Sequence, residues 1–162
     1  MSTNKQSLKN KKGYDRGLTI RVSKDTLIEW EKTYQKFRLE LFMHSFKKFA
    51  EKDFFRQIVL YWKEELIAAG EFHEVEENFL ESVTKPGNRK TDRTVMKDES
   101  ASTFFGVSRE DIADYFNLMF SFIKLKSEGD VSMYSTSYFF YDFVEYAKKN
   151  VAEIIQHAKR NG

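Results

Sequence analysis

Thr19 and Arg21 stand alternately with Leu18, Ile20 and Val22 in the run GLTIRVS. An arginine presents a fixed fork of donors and a threonine a single hydroxyl. The pair therefore suits bidentate recognition of a hydrogen-bonding edge better than it suits bond-making chemistry. Other chemistries find less support. His44, His73 and His157 are scattered, and His73 with Glu76 and Glu77 has no second His or Cys at metal-ligand spacing. Glu74, Glu76, Glu77 and Glu81 read as a solvated face rather than as an acid–base pair in a cleft. There is no glycine-rich phosphate loop and no serine or cysteine nucleophile motif. No enzyme activity, cofactor or metal is expected.

Composition sets the frame for these residues. With 162 residues the chain forms one domain or two small ones. A net charge of +2 rules out a uniformly basic nucleic-acid glue, so local charge carries any such role. Cysteine is absent, which fits a reducing cytoplasm. No apolar run reaches membrane-spanning length, and the basic N-terminal run lacks the apolar core of a signal peptide. Sixteen phenylalanines with one proline and seven glycines point to a mainly α protein with aromatic cores.

Residues 1–16 carry Lys5, Lys9, Lys11, Lys12 and Arg16 against Asp15 and read as a solvated tail or a flexible arm on a polyanion. Leu18 to Ser23 alternate as a strand. Ser23 then looks like a helix N-cap, with Asp25 in the first turn. Leu27, Trp30, Tyr34, Phe37 and Leu41 form the stripe of a first helix that breaks near Met43–Ser45. Phe55, Ile58, Val59, Trp62 and Leu66 mark a second helix to about Ala69. Phe72, Val75, Phe79 and Val83 repeat at helical spacing in an acidic segment, and the stretch around Pro86 is the best boundary. The expected organisation is an arm at 1–16, a domain at 17–70, an acidic helix and linker at 71–103, and a helical domain at 104–162. In the last, Ser108 and Asp111 suggest a cap.

A lone strand can pair with a second copy of itself. An antiparallel ribbon of two copies becomes stable when its apolar face rests on helices. Such a ribbon fits the major groove of B-DNA, where Arg21 could pair with guanine O6 and N7 and Thr19 with a base edge or thymine methyl.

The run GLTIRVSKDTLIEW, followed by AEKDFFRQIVLYW, resembles the ribbon-helix-helix family of dimeric DNA-binding proteins over about residues 16–67. The resemblance implies base reading by Thr19 and Arg21, with Arg16 or Gly17 at the entry to the strand. It also implies phosphate gripping at the start of the second helix, near Lys52. The stretch LELFMHSFKKFAEK is longer than the family's connection, so Lys47 and Lys48 compete with Lys52 for that role. Lys11, Lys12 and Ser23 complete the expected phosphate contacts. The dimer core is expected to contain Leu18, Ile20, Val22, Leu27, Trp30, Phe55, Ile58 and Trp62.

From Tyr134 to Tyr146 an aromatic-rich run is interleaved with Asp142 and Glu145, whose charges repel a phosphate backbone. Phe139, Phe140, Phe143 and Tyr146 are expected to form an oligomer interface that turns dimers into tetramers. Together these readings predict a cytoplasmic, homodimeric, sequence-specific double-stranded DNA-binding protein without a membrane association. The resemblance implies a mobile-element role as relaxosome accessory, partition protein or repressor, with a relaxase or partition ATPase as protein partner. The opposing reading is a helical protein-interaction adaptor that does not bind DNA.

Overall fold

The computed structural model describes residues 17–76, 100–127 and 136–161. The basic arm, with Lys11, Lys12 and Arg16, and the linker at 77–99 lie outside them. In chain order the elements are β1 (Leu18–Ser23), α1 (Lys24–Ser45), α2 (Glu51–Ala68), β2 (Ser100–Phe105), α3 (Arg109–Ser127) and α4 (Thr136–Asn161). The described residues are mainly helical, with one two-stranded antiparallel sheet.

The first correction concerns β1. Its partner is β2 of the same chain, with Leu18 opposite Phe105, Thr19 opposite Phe104, Ile20 opposite Thr103 and Arg21 opposite Ser102. The intermolecular ribbon expected from the sequence is replaced by an intramolecular one. The physical reason lies in two costs. The entropic cost of closing a loop grows only logarithmically with its length, whereas recruiting a second molecule sacrifices translational and rotational freedom. Leu18, Ile20 and Val22 do face a core, and each contributes about 1.5–3 kcal/mol by leaving water.

Ser23 caps α1 as expected, its Oγ accepting the Thr26 N–H at 3.2 Å, with Asp25 in the first turn. The buried stripe is rotated from the expected one: Thr26, Trp30, Thr33, Phe37 and Leu41 are buried, whereas Leu27 and Tyr34 are half-buried. Thr33 is tolerated inside because its hydroxyl donates to the Glu29 carbonyl at 2.8 Å. The long connection resolves as a longer first helix, 22 residues, with α2 beginning at Glu51. Residues 46–50 run back along α1, so that the Tyr34 hydroxyl donates to the Phe49 carbonyl at 2.9 Å. Trp30 Nε1–H reaches Glu51 Oε2 at 2.6 Å.

The segments expected as separate domains share one hydrophobic core. Trp30 packs on Phe54 of α2 (4.8 Å between ring centroids), Phe105 of β2 (5.2 Å) and Phe140 of α4 (5.4 Å). Phe55 likewise touches Phe105, Tyr115 and Phe143. The expected dimer-core residues therefore pack within a single chain. Arg56 and Lys63 of α2 pair with Asp111 and Asp114 of α3 at 3.3 and 3.2 Å, which aligns the two helices.

Two further expectations are revised. Residues 71–76 are not helical. Asn117 Oδ1 and Ser121 Oγ accept the Val75 and His73 N–H groups at 2.9 and 2.8 Å, an alternative to helical bonding that holds the backbone against α3. Phe139, Phe140 and Phe143 are fully buried, so the oligomer interface expected of them is the chain's own core. Tyr146 is half-buried, stacked on Trp62 at 4.1 Å with its hydroxyl donating to Glu65.

Candidate nucleic-acid interface

The β1–β2 ribbon has two unlike faces because side chains alternate along each strand. Opposed residues of an antiparallel pair share a face, so Leu18, Ile20, Val22, Ala101, Thr103 and Phe105 turn inward. The outward face presents Thr19, Arg21, Ser102 and Phe104, all exposed. Phe104 is 54% exposed although it is a large apolar side chain. Gly17 starts the ribbon at φ +127, a conformation that suits glycine. A Cβ there would lie 2.0 Å from the Phe105 carbonyl oxygen and 2.8 Å from Phe104 Cζ, so only glycine lets the chain pass beneath that ring.

At the Leu18–Phe105 end of the ribbon, the chain leaving β2 borders an open depression of about 310 Å³. Lys52, Asp53, Arg56, Gly106, Val107, Ser108 and Asp111 line it. Lys52 and Arg56 are four apart on α2 and so share one helix face. Lys52 is exposed, and the Arg56 side chain is 47% exposed while contacting Asp111, which is 8% exposed. Ser108 Oγ accepts the Asp111 N–H at 3.2 Å, closing the first turn of α3 as anticipated. Burial pushes the Asp111 carboxyl up from its ordinary range, against the pull of Arg56 and the Ser108 hydrogen bond.

The predicted contact residues among the described ones fall at different places. Thr19 and Arg21 stand together on the outward face. Of the competing lysines, Lys52 is the one set beside the ribbon's end. Lys47 and Lys48 are exposed on the 46–50 connection. The phosphate grip expected from the backbone at the start of α2 meets an obstacle. Glu51 and Asp53 occupy that first turn, and Asp53 Oδ2 accepts the Ala50 N–H at 2.7 Å. Two carboxylates already answer the helix's positive end, which leaves the Lys52 and Arg56 side chains as the cationic groups. Ser23 Oγ is likewise engaged in capping α1. Arg16, Lys11 and Lys12 lie outside the described residues.

Sequence reasoning missed Ser102, Phe104 and Arg56. The Lys52–Arg56 spacing was a readable signal, since residues four apart on a helix share a face. The alternation in SASTFF was a fainter one, because its inward residues are Ala, Thr and Phe.

The remaining chemical candidates stay apart. His157 is buried with Nε2 3.2 Å from the Glu64 carboxylate and its ring edge on Tyr61, a packed histidine rather than a ligand. No group of three His, Cys, Asp or Glu among the described residues could hold a metal ion. No described helix is long and apolar enough to cross a membrane. No protein-family model, curated protein or solved structure matches the chain.

Proposed function

We propose that the protein binds double-stranded DNA sequence-selectively, with the outward face of the β1–β2 ribbon in the major groove. One observation carries this reading: a two-stranded ribbon sunk by its apolar face into a helical core, with Thr19, Arg21 and Ser102 presented outward. A ribbon of this kind is among the few elements that the major groove admits. Arg21 pairs with guanine, Thr19 and Ser102 reach neighbouring base edges, and Lys52 with Arg56 meets phosphate at the ribbon's end. The basic arm, with five cations against one acid in residues 1–16, adds sequence-independent attraction. The resemblance to ribbon-helix-helix proteins would place this activity in transfer, partition or repression of a mobile element.

Gel-shift titration of duplex pools at fixed, stated salt tests the reading. Arg21→Ala should lose sequence preference at a cost of about 1–3 kcal/mol per base contact. Deleting residues 2–12 should instead weaken binding to every duplex and flatten its salt dependence. A silent Arg21→Ala, together with lost preference on arm deletion, would reverse these roles.

A second reading, the protein-interaction adaptor, is favoured by one feature. Leu39, Met43 and Phe46, at helical spacing around the end of α1, are 56%, 68% and 76% exposed. Replacing all three with serine should leave DNA binding intact. Loss of duplex binding in that variant, with Arg21→Ala unaffected, would move the interface from the ribbon to the end of α1.

A further inference from the structure

The ribbon's pairing within one chain has a consequence for what it can read, provided that the DNA-binding reading holds. A ribbon made by two copies presents each outward residue twice, related by a two-fold axis, and the matching DNA site is a palindrome. Here the strands are LTIRVS and SASTFF, so no such axis exists within the ribbon. In the register, Thr19 faces Phe104 and Arg21 faces Ser102. The outward face thus has a cationic corner at Arg21 and an apolar corner at Phe104, on opposite strands and in successive outward pairs.

These corners differ in the bases they suit. Arginine matches the paired acceptors of guanine, whereas a phenylalanine ring makes apolar contact with the C5-methyl of thymine. Phe104 stands more than half exposed beside a threonine on an otherwise polar face. Gly17 leaves room for the ring to lie over the chain, because any Cβ at that position would collide with it. Successive outward residues on a strand lie roughly 6.6 Å apart, close to two base-pair steps of roughly 3.4 Å each.

We propose that a single chain reads a directional, non-palindromic duplex site, with Arg21 selecting a guanine and Phe104 selecting a thymine about two base-pair steps away. Phe104 is then a specificity-determining residue that distinguishes thymine by its methyl group.

The test begins with selection of duplexes from a random library by the full chain, followed by the stoichiometry of the shifted complex. The expected consensus has no two-fold symmetry and binds one chain. Replacing the selected thymine by uracil, which removes only the methyl, should weaken binding roughly fourfold, the worth of one buried methyl group. Phe104→Val, a substitution at an exposed strand position, should weaken the thymine duplex and bind thymine and uracil duplexes alike. Circular dichroism checks that this variant is folded. A palindromic consensus bound by two chains overturns the directional site while leaving DNA binding standing. A non-palindromic consensus indifferent to uracil and to Phe104→Val overturns the role of Phe104 alone. If no duplex is enriched, the DNA-binding reading fails and this inference with it.

Discussion

The two ends of α1 are built on different principles. Near Ser23 the helix is capped by a side chain, and about two turns later Trp30, 1% exposed, touches rings from α2, β2 and α4. Near Ser45 its outward face carries Leu39 and Met43, with Phe46 just past its end, all more than half exposed. There the helix is closed by Phe46 at φ 60, whose N–H bonds the Phe42 carbonyl at 2.7 Å. The ribbon end is thus fixed by non-local aromatic contacts and the far end by local capping. Substitutions should therefore act through lost packing at the first and through backbone strain at the second.

The largest effect is expected at Trp30. Trp30→Ala removes a ring shared by four elements and orphans a hydrogen bond to Glu51, so it should cost about 3–5 kcal/mol. Urea unfolding measures it, and a loss below about 1 kcal/mol would contradict the account of this end as packing-held. Gly17→Ala comes next, at about 1–3 kcal/mol, because alanine must leave the left-handed region or push the Phe105 carbonyl away. Its stability should fall together with the thymine preference assigned to Phe104. Unchanged unfolding with unchanged base preference would mean that the chain enters the ribbon by another path.

A smaller effect, visible in its pH dependence, is expected from Asp111 beside the ribbon. Burial raises its carboxyl pKa in the folded chain, so the folded state holds the proton more tightly than the unfolded state. The stability this gives is complete below the ordinary aspartate range and is lost as pH rises through the folded value. Asp111→Asn removes that slope, because asparagine does not titrate. Relative to the variant, the natural chain should be most stable on the acid side and lose ground from about pH 4 upward. Parallel urea midpoints across that window would show that Arg56 offsets the burial in full.

What the sequence made legible follows the same division. Local signals held: the alternation of Leu18, Ile20 and Val22, the Ser23 cap and the aromatic spacing of α4 all have structural counterparts. Non-local choices were hidden. Nothing in SASTFF distinguishes a strand from a small-residue linker until Ala101, Thr103 and Phe105 are set opposite Val22, Ile20 and Leu18. Helical spacing at Phe72 and Val75 was overridden by hydrogen bonds that the His73 and Val75 N–H groups donate to Ser121 and Asn117, more than forty residues away. The buried Thr33 was unreadable for a related reason, since its hydroxyl is satisfied by its own helix. Of the candidate interface, Thr19 and Arg21 were accessible from one strand, whereas Ser102 and Phe104 required the pairing.

The smallest effect tests the far end of α1. Phe46 holds a backbone conformation that costs a side-chain-bearing residue energy, and glycine is the usual residue at that place after a helix. With its ring 76% exposed, Phe46 gains little from burial, and its edge-on contact with Phe42 at 5.7 Å is its one ring contact among the described residues. Phe46→Gly should therefore stabilise the chain by about 1 kcal/mol despite deleting a large apolar side chain. Phe46→Ala removes the same ring contact and keeps the strain, so it should show no such gain. The difference between the two variants isolates the backbone contribution, and thermal unfolding resolves it. Equal stabilities would mean that the cap carries no strain, and the contrast between the two ends of α1 would then rest on packing alone. Neither variant should alter duplex binding, because Phe46 stands apart from the outward face of the ribbon.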